Sequence, residues 1–318
     1  MPVHPDSELI MHAATAVLIG LGVGLHAAIW GVFKDAPHEG FHWSRFLRSP
    51  VIGVLAALEL LITLRWPSGV AGGVLLFGAT YAAERFIIET WKTFFRIEDQ
   101  SKYTIPMQLA VLGRPVRNVV VRWILGALYF AGGFGVLAAI RGLGQQAPAG
   151  AWPLLLLAAS AGGWISAVGG AWKDAPIEGF ETFKFFRSPL VALSYALLLS
   201  QLTPDLGIVM LAATGLTIAT LETWKKFSRP NEPGGKFAGK PVHFPLMKHY
   251  RFRLVPLYAA ICGTVALSVL AAAYASMTVS CDRCELRSVE LRSVELRSVE
   301  LRSVELRSVE LRPVGSQP

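Results

Sequence analysis

Charge is scarce in this chain. Asp, Glu, Lys and Arg make up 16% of its 318 residues, where a soluble domain carries about 25%. That shortage speaks against an ordinary soluble protein. Recognised catalytic signatures are missing too. There is no Walker loop, no H-E-x-x-H, no G-x-S-x-G and no carboxylate metal motif, which weakens enzyme readings without removing them. Lys and Arg are absent from Met1–Glu8, and the apolar run that follows has no small-residue cleavage site. A cleaved signal peptide is therefore not expected, and the first run reads as a membrane helix. Histidine is too sparse for haem. His12 and His26 are fourteen residues apart on one helix face, but no other apolar run carries a histidine to face them. No cofactor and no metal is expected. A lone C-x-x-C, Cys281 and Cys284, is weak evidence for a metal site without partner ligands.

What is abundant is apolar sequence. The hydrophobic fraction is 53% and the mean hydropathy +0.47. Apolar runs fall at 9–33, 51–66, 69–90, 119–141, 151–172, 190–203, 205–222 and 254–277. Several reach the roughly 20 residues that span a bilayer. The formal charge of +8 suggests nucleic acid at first sight. In a membrane protein, however, basic loops mainly report orientation, and no nucleic-acid partner is expected.

The runs are organised by an internal duplication. Lys34-Asp35-Ala36-Pro37-His38-Glu39-Gly40-Phe41 continues to Phe46-Leu47-Arg48-Ser49-Pro50. It returns 139 positions on as Lys173-Asp174-Ala175-Pro176-Ile177-Glu178-Gly179-Phe180, continuing to Phe185-Phe186-Arg187-Ser188-Pro189. Eleven of the seventeen positions from 34 to 50 are identical, which marks a repeat. The expected fold is all-α: a polytopic membrane protein of about eight transmembrane helices in two tandem parallel four-helix repeats. The repeats are assigned to residues 1–142 and 151–278. A flexible linker occupies 143–150, and 279–318 form a low-complexity tail with five Ser-Val-Glu-Leu-Arg pentads from Ser288 to Arg312, to which no function is assigned.

Orientation follows from Lys and Arg. The loops at 34–50, 91–118, 173–189 and 223–253 hold nineteen; the opposite side, before the tail, holds only Arg65 and Arg141. Basic loops stay in the cytoplasm. The reading is a multi-pass cell-membrane protein with both termini outside and both motif loops cytoplasmic. An even number of spans per half relates the halves by a pseudo-two-fold axis along the membrane normal. Runs 51–66 and 190–203 are short, and are either tilted spans or halves of re-entrant hairpins. Gly20, Gly24 and Ala28 match Ala159, Gly163 and Ala167. Small residues four apart let helices approach closely in lipid. This seam serves either generic packing or a crossing of the two first helices at the axis.

Ala36-Pro37 predicts the end of the first helix, and Ser49-Pro50 predicts the start of the next. Capping leaves Lys34, Asp35, Glu39 and Arg48 unexplained, with Lys173, Asp174, Glu178 and Arg187. These charges are candidates for pairing across the axis, for a gate, or for binding an anionic headgroup or phosphate. A second duplicated element, Glu89-Thr90-Trp91-Lys92 with Arg96 and Glu222-Thr223-Trp224-Lys225 with Arg229, closes the third helix of each half. It reads as an anchored helix end, or as Glu89 and Glu222 completing one polar cluster with Lys34 and Lys173. Glu59, Glu84 and Arg85 lie at membrane depth without charged counterparts in the second half, and such residues are functional candidates by default. His26 shares a stripe with Trp30 and Lys34 and is either a core histidine or a pore-lining one. The function expected is a transporter or lipid- or anion-handling protein gated by the paired loops. The alternatives are a membrane enzyme acting on a lipid phosphate and a structural membrane protein. The partners expected are membrane lipids and an anionic small molecule or headgroup. The sequence does not fix the oligomeric state.

Overall fold

In hydrocarbon each backbone group must be paired inside the protein, so long apolar runs fold as helices. The computed structural model describes residues 5–148, 150–228 and 235–278; Arg229, Cys281, Cys284 and the pentads lie outside them. The helices are α1 (Pro5–Glu39), α2 (Trp43–Thr63), α3 (Gly69–Thr90), α4 (Val119–Gln146), α5 (Trp152–Ala159), α6 (Ala161–Glu178), α7 (Thr182–Leu199) and α8 (Leu206–Thr223). A last helical stretch, α9, covers Met247–Thr278. Among the described residues seven helices are long and apolar enough to cross a membrane, or eight if α5 and α6, bent by 45°, form one span. The bend falls at buried Ser160, just before Gly162 and Gly163, a small-residue hinge of the kind that kinks helices.

The helix boundaries differ from the proline-based expectation. Helix α1 runs through Lys34 and Pro37 to Glu39. A proline leaves the carbonyl four residues back without its donor; here that carbonyl, of Phe33, accepts from Arg251 Nη1 at 2.8 Å. The helix stops instead at Gly40, whose φ is +78° and whose N–H bonds to the Ala36 carbonyl at 2.9 Å. Gly179 repeats this with φ +85° and a bond to the Ala175 carbonyl. Both motif glycines are thus helix terminators in a conformation that side chains resist. Helix α2 starts at Trp43, so Ser49 and Pro50 lie inside it and cap nothing; Ser188 and Pro189 lie inside α7 in the same way. With its extra turns α2 has 21 residues, about 31 Å at 1.5 Å per residue. That is enough for a full span, so the tilted-or-re-entrant question about 51–66 resolves as one continuous helix.

Of the two readings of the small-residue seam, the contacts follow helix packing and not a crossing of the two first helices. Gly20 and Gly24 face the backbone of Gly53 and Pro50 on α2, and Gly163 faces Ser188 and Pro189 on α7. Each first helix therefore grips the second helix of its own half. The close contact between halves is α3 against α8, where Gly78 meets Ala212 and Gly215 meets Gly78 backbone to backbone. Val23, Leu75, Tyr81, Ile208, Val209 and Leu216 fill the core around that crossing. Apolar side chains on α4 and α9, such as Leu128, Phe134, Leu267 and Leu270, face outward, as lipid-facing positions do.

Candidate functional site

The charged residues of both motifs gather at one end of the helices, around two matching helix ends. Helix α3 finishes in a π turn, Trp91–Phe95, and α8 in another, Trp224–Ser228. Such turns are uncommon and cluster at functional sites. Buried Arg122 holds the first one, donating to the carbonyls of Phe94 at 3.2 Å and Arg96 at 2.6 Å. Arg48 lies over the Trp91 ring at 5.0 Å, and Arg187 lies over Trp224 at 5.1 Å. Glu89 pairs with Lys92 at 3.0 Å, and Glu222 with Lys225 at 3.0 Å. Arg96 does not continue that helical face, because the π turn intervenes; its guanidinium swings back over Trp91 at 5.7 Å.

The motif acids make local pairs first. Glu39 binds Arg45 at 2.7 Å, and Glu178 binds Lys184, the residue at the matching position, at 2.7 Å. Asp174 lies 3.4 Å from the same Lys184. Glu39 also accepts from the Tyr103 hydroxyl at 2.8 Å. Beside it, Glu98 pairs with Arg96 at 2.8 Å and with Lys102. Burial acts to raise the Glu98 carboxyl pKa, but the Lys102 hydrogen bond and Arg96 outweigh it and hold the group below its ordinary range. Burial and the neighbouring Glu39 push the Tyr103 hydroxyl up, so it stays a donor.

Among the described residues no ion pair joins 34–50 directly to 173–189. Each motif instead grips the long loop of the opposite half. Asp35 pairs with Lys236 at 2.8 Å. The Pro37 carbonyl accepts from the Phe244 N–H at 2.9 Å, and His38 Nδ1 donates to the Pro241 carbonyl at 2.9 Å. In the other direction, Trp172 Nε1 donates to the Ala110 carbonyl at 2.9 Å, and Lys173 Nζ lies 3.4 Å from the Met107 sulfur. Met107 and Ala110 belong to the loop that carries a small hairpin, β1 (Ala110–Val111) with β2 (Arg114–Pro115), turning at Leu112 and Gly113 with positive φ. The lysines cross as well. Lys173 lies near enough to Glu89, and Lys34 to Glu222, to bear on their charge, but neither makes an ion pair with it among the described residues.

Between α1, α2, the end of α3 and these loops lies a cavity of about 100 Å³. Its walls carry Arg45, Arg48, Arg85, Lys92, Arg96 and Lys236 against only Asp35 and Glu39. Arg85 comes from the membrane-depth pair, 6% exposed beside Glu84 at 0%. It binds Glu84, lies 3.8 Å from Glu89 and donates to Ser49 Oγ at 3.3 Å. Arg48 makes no ion pair among the described residues. Its Nε, and the Nε and Nη2 of Arg96, are buried without a hydrogen-bond partner there.

Two depth candidates stay outside the cluster. Glu59 is exposed on α2, one turn from its end at Thr63. His26 is a core histidine: buried, 3.0 Å from the Tyr81 hydroxyl and stacked on Tyr258 at 4.3 Å. Sequence reasoning passed over Arg45, Glu98, Tyr103, Lys236 and Arg251. Arg45 had a signal, since Lys184 keeps its charge at the same repeat position; Lys236 had none, because it reaches Asp35 from 201 residues away. Among the described residues no three His, Cys, Asp or Glu are placed to hold a metal ion.

Comparison of the chain with known protein families, curated proteins and solved structures gives no match.

Proposed function

We propose that this is an anion-handling membrane transporter whose gate is the pair of motif loops over the cationic cavity. The observation that carries the reading is Arg48 in the cavity wall, which makes no ion pair among the described residues while the five other cations there pair with Asp35, Glu39, Glu84, Glu89 and Glu98. A partly desolvated charge without a partner is costly unless an anion offsets it. The gate follows from the crossed contacts. Each motif is held by the loop of the opposite half, so movement between the halves opens both contacts together, as in parallel-repeat carriers. The matched Arg–Trp stacks, Glu–Lys pairs and π turns support a pseudo-two-fold relation between the halves. The positive-inside rule puts this basic end in the cytoplasm. Labelling Trp43→Cys from the cytoplasm and Gln145→Cys from outside tests that sidedness; the reverse pattern inverts it.

The function is tested in liposomes containing the purified protein. Two probes are followed: entry of radiolabelled inorganic phosphate and leaflet exchange of fluorescent phosphatidic acid. The protein should accelerate at least one above protein-free vesicles. A disulfide between His38→Cys and Pro241→Cys should stop it, and reductant should restore it. Movement of neither probe removes the transport reading.

A further inference from the structure

We propose that the cavity beside Trp91 is a subsite for the phosphoryl head of a membrane lipid, with Arg48 and Arg96 as donors and Asp35 as acceptor. This rests on the anion-handling reading above and specifies its ligand.

Buried polar atoms are almost always partnered, and each exception calls for an explanation. This cavity wall has four of them: Arg48 Nε, Arg96 Nε and Nη2, and Asp35 Oδ1. Stacking does not satisfy the arginines. The Trp91 ring lies 5.0 Å from the Arg48 guanidinium carbon and 5.7 Å from that of Arg96, and it offers no oxygen acceptor to their N–H bonds. Nor do the existing ion pairs. Arg96 spends Nη1 on Glu98, and Asp35 spends Oδ2 on Lys236. What remains is three unpartnered donor nitrogens from two guanidinium groups, with one unpartnered acceptor in the same wall.

That combination selects among anions. Two forks suit a tetrahedral oxyanion better than a flat carboxylate. An acceptor in the same wall calls for a ligand that also carries an O–H. A phosphomonoester supplies both, because its second proton leaves near pH 6 and its singly charged form keeps a P–OH. Sulfate has no such proton at neutral pH.

Size selects the source. Pockets that enclose a drug-sized ligand run to about 300–1,000 Å³, and this one has about 100 Å³. It takes the head, and the remainder of any larger ligand lies outside. Phe46 lines the cavity and packs with Phe41 and with Trp43, which is 67% exposed. Such aromatic clusters sit at the membrane–water interface. A ligand with its head among the arginines and its chains at that level is a phosphomonoester lipid.

The test measures thermal stability of the purified full-length chain in a neutral detergent. The additives are dioleoyl phosphatidic acid, dioleoyl phosphatidylcholine, inorganic phosphate and sulfate. Phosphatidic acid should raise the midpoint and phosphatidylcholine should not. Arg48→Gln and Arg96→Gln should each weaken that response roughly tenfold or more in lipid concentration, the worth of one charged hydrogen-bonding partner. Arg48→Lys keeps the charge but loses the fork and should fall between them. Arg65→Gln, at the other end of the helices, should respond like the parent chain. Phosphatidic acid competition against a fluorescent phosphatidic acid replaces the midpoint for any variant that unfolds early. An equal response to inorganic phosphate would overturn the lipid as the source. No response to phosphatidic acid, or one unchanged in both arginine variants, overturns the subsite. Binding without flux in liposomes would leave the subsite standing and remove the gate. Flux with no Arg48-dependent binding would do the reverse.

Discussion

Pro37 shows how a single residue is tolerated where its chemistry forbids it. It removes the donor of the Phe33 carbonyl, and Arg251 replaces that donor from another part of the chain. Arg251 also lies over the Phe33 ring at 4.2 Å, so one side chain fixes both the carbonyl and the ring. Arg251→Met should leave a buried acceptor unmet, at a cost of about 1–3 kcal/mol. Pro37→Ala restores the N–H and should recover part of that loss in thermal unfolding in detergent. An equal loss with proline and with alanine at 37 would show that the carbonyl is not the reason. Glu98 is the matching case for charge. Its carboxyl titrates below its ordinary 4.5 in the folded chain. The folded state therefore sheds this proton more readily than the unfolded one. The contribution is present above pH 4.5 and is lost as pH falls through the folded value. Hydrogen exchange at Leu109 and Val116, whose amides tie this loop together, should speed up in that acid range. The discriminating comparison is Glu98→Gln, which should flatten the dependence.

Helices were legible wherever hydrophobicity alone decides them, and their ends were misplaced wherever a partner decides them. Apolar runs 69–90 and 205–222 lie within a residue of α3 and α8. The end at Pro37 was set too early, because no local rule announces an arginine supplied from residue 251, and the start at Pro50 was set too late, since the helix begins at Trp43. The same blindness affects the seam. Small residues at 20 and 24 signal a close approach without naming the partner, which is α2. At the α3–α8 crossing the partner is unambiguous. A methyl group at Gly78 would come within 2.5 Å of the Ala212 backbone. Gly78→Val should therefore cost at least the 1–3 kcal/mol typical of overpacking. Gly73, on the same helix, has nothing within 4 Å of that position. Gly73→Ala should be neutral or gain up to about 1 kcal/mol. Similar losses at both glycines would mean that the helix itself, not its crossing with α8, is being measured.

For the molecule as a whole, the duplication marks a set of charges, but not how they are wired. The natural expectation from two copies of one motif is that each copy meets the other. The charges are arranged as a crossed set instead. Glu89 is served by Lys92 from its own half and feels Lys173 from the other; Glu222 is served by Lys225 and feels Lys34. Lys34 and Lys173 also bear on each other's charge, though neither makes an ion pair with Glu89 or Glu222 among the described residues. Lys34→Glu puts a negative charge beside Asp35 and Glu222 and should destabilise the basic end and slow flux. Adding Glu222→Lys reverses the second contact and should recover part of both, with a coupling of about 0.5–3 kcal/mol in a double-mutant cycle. Lys34→Glu with Glu89→Lys reverses the acid that serves Lys173, and should show no comparable recovery. If the two double mutants recover equally, the effect is one of net charge and the crossed wiring is wrong. If only the Glu222 pair recovers flux, the contact between halves is the part that moves.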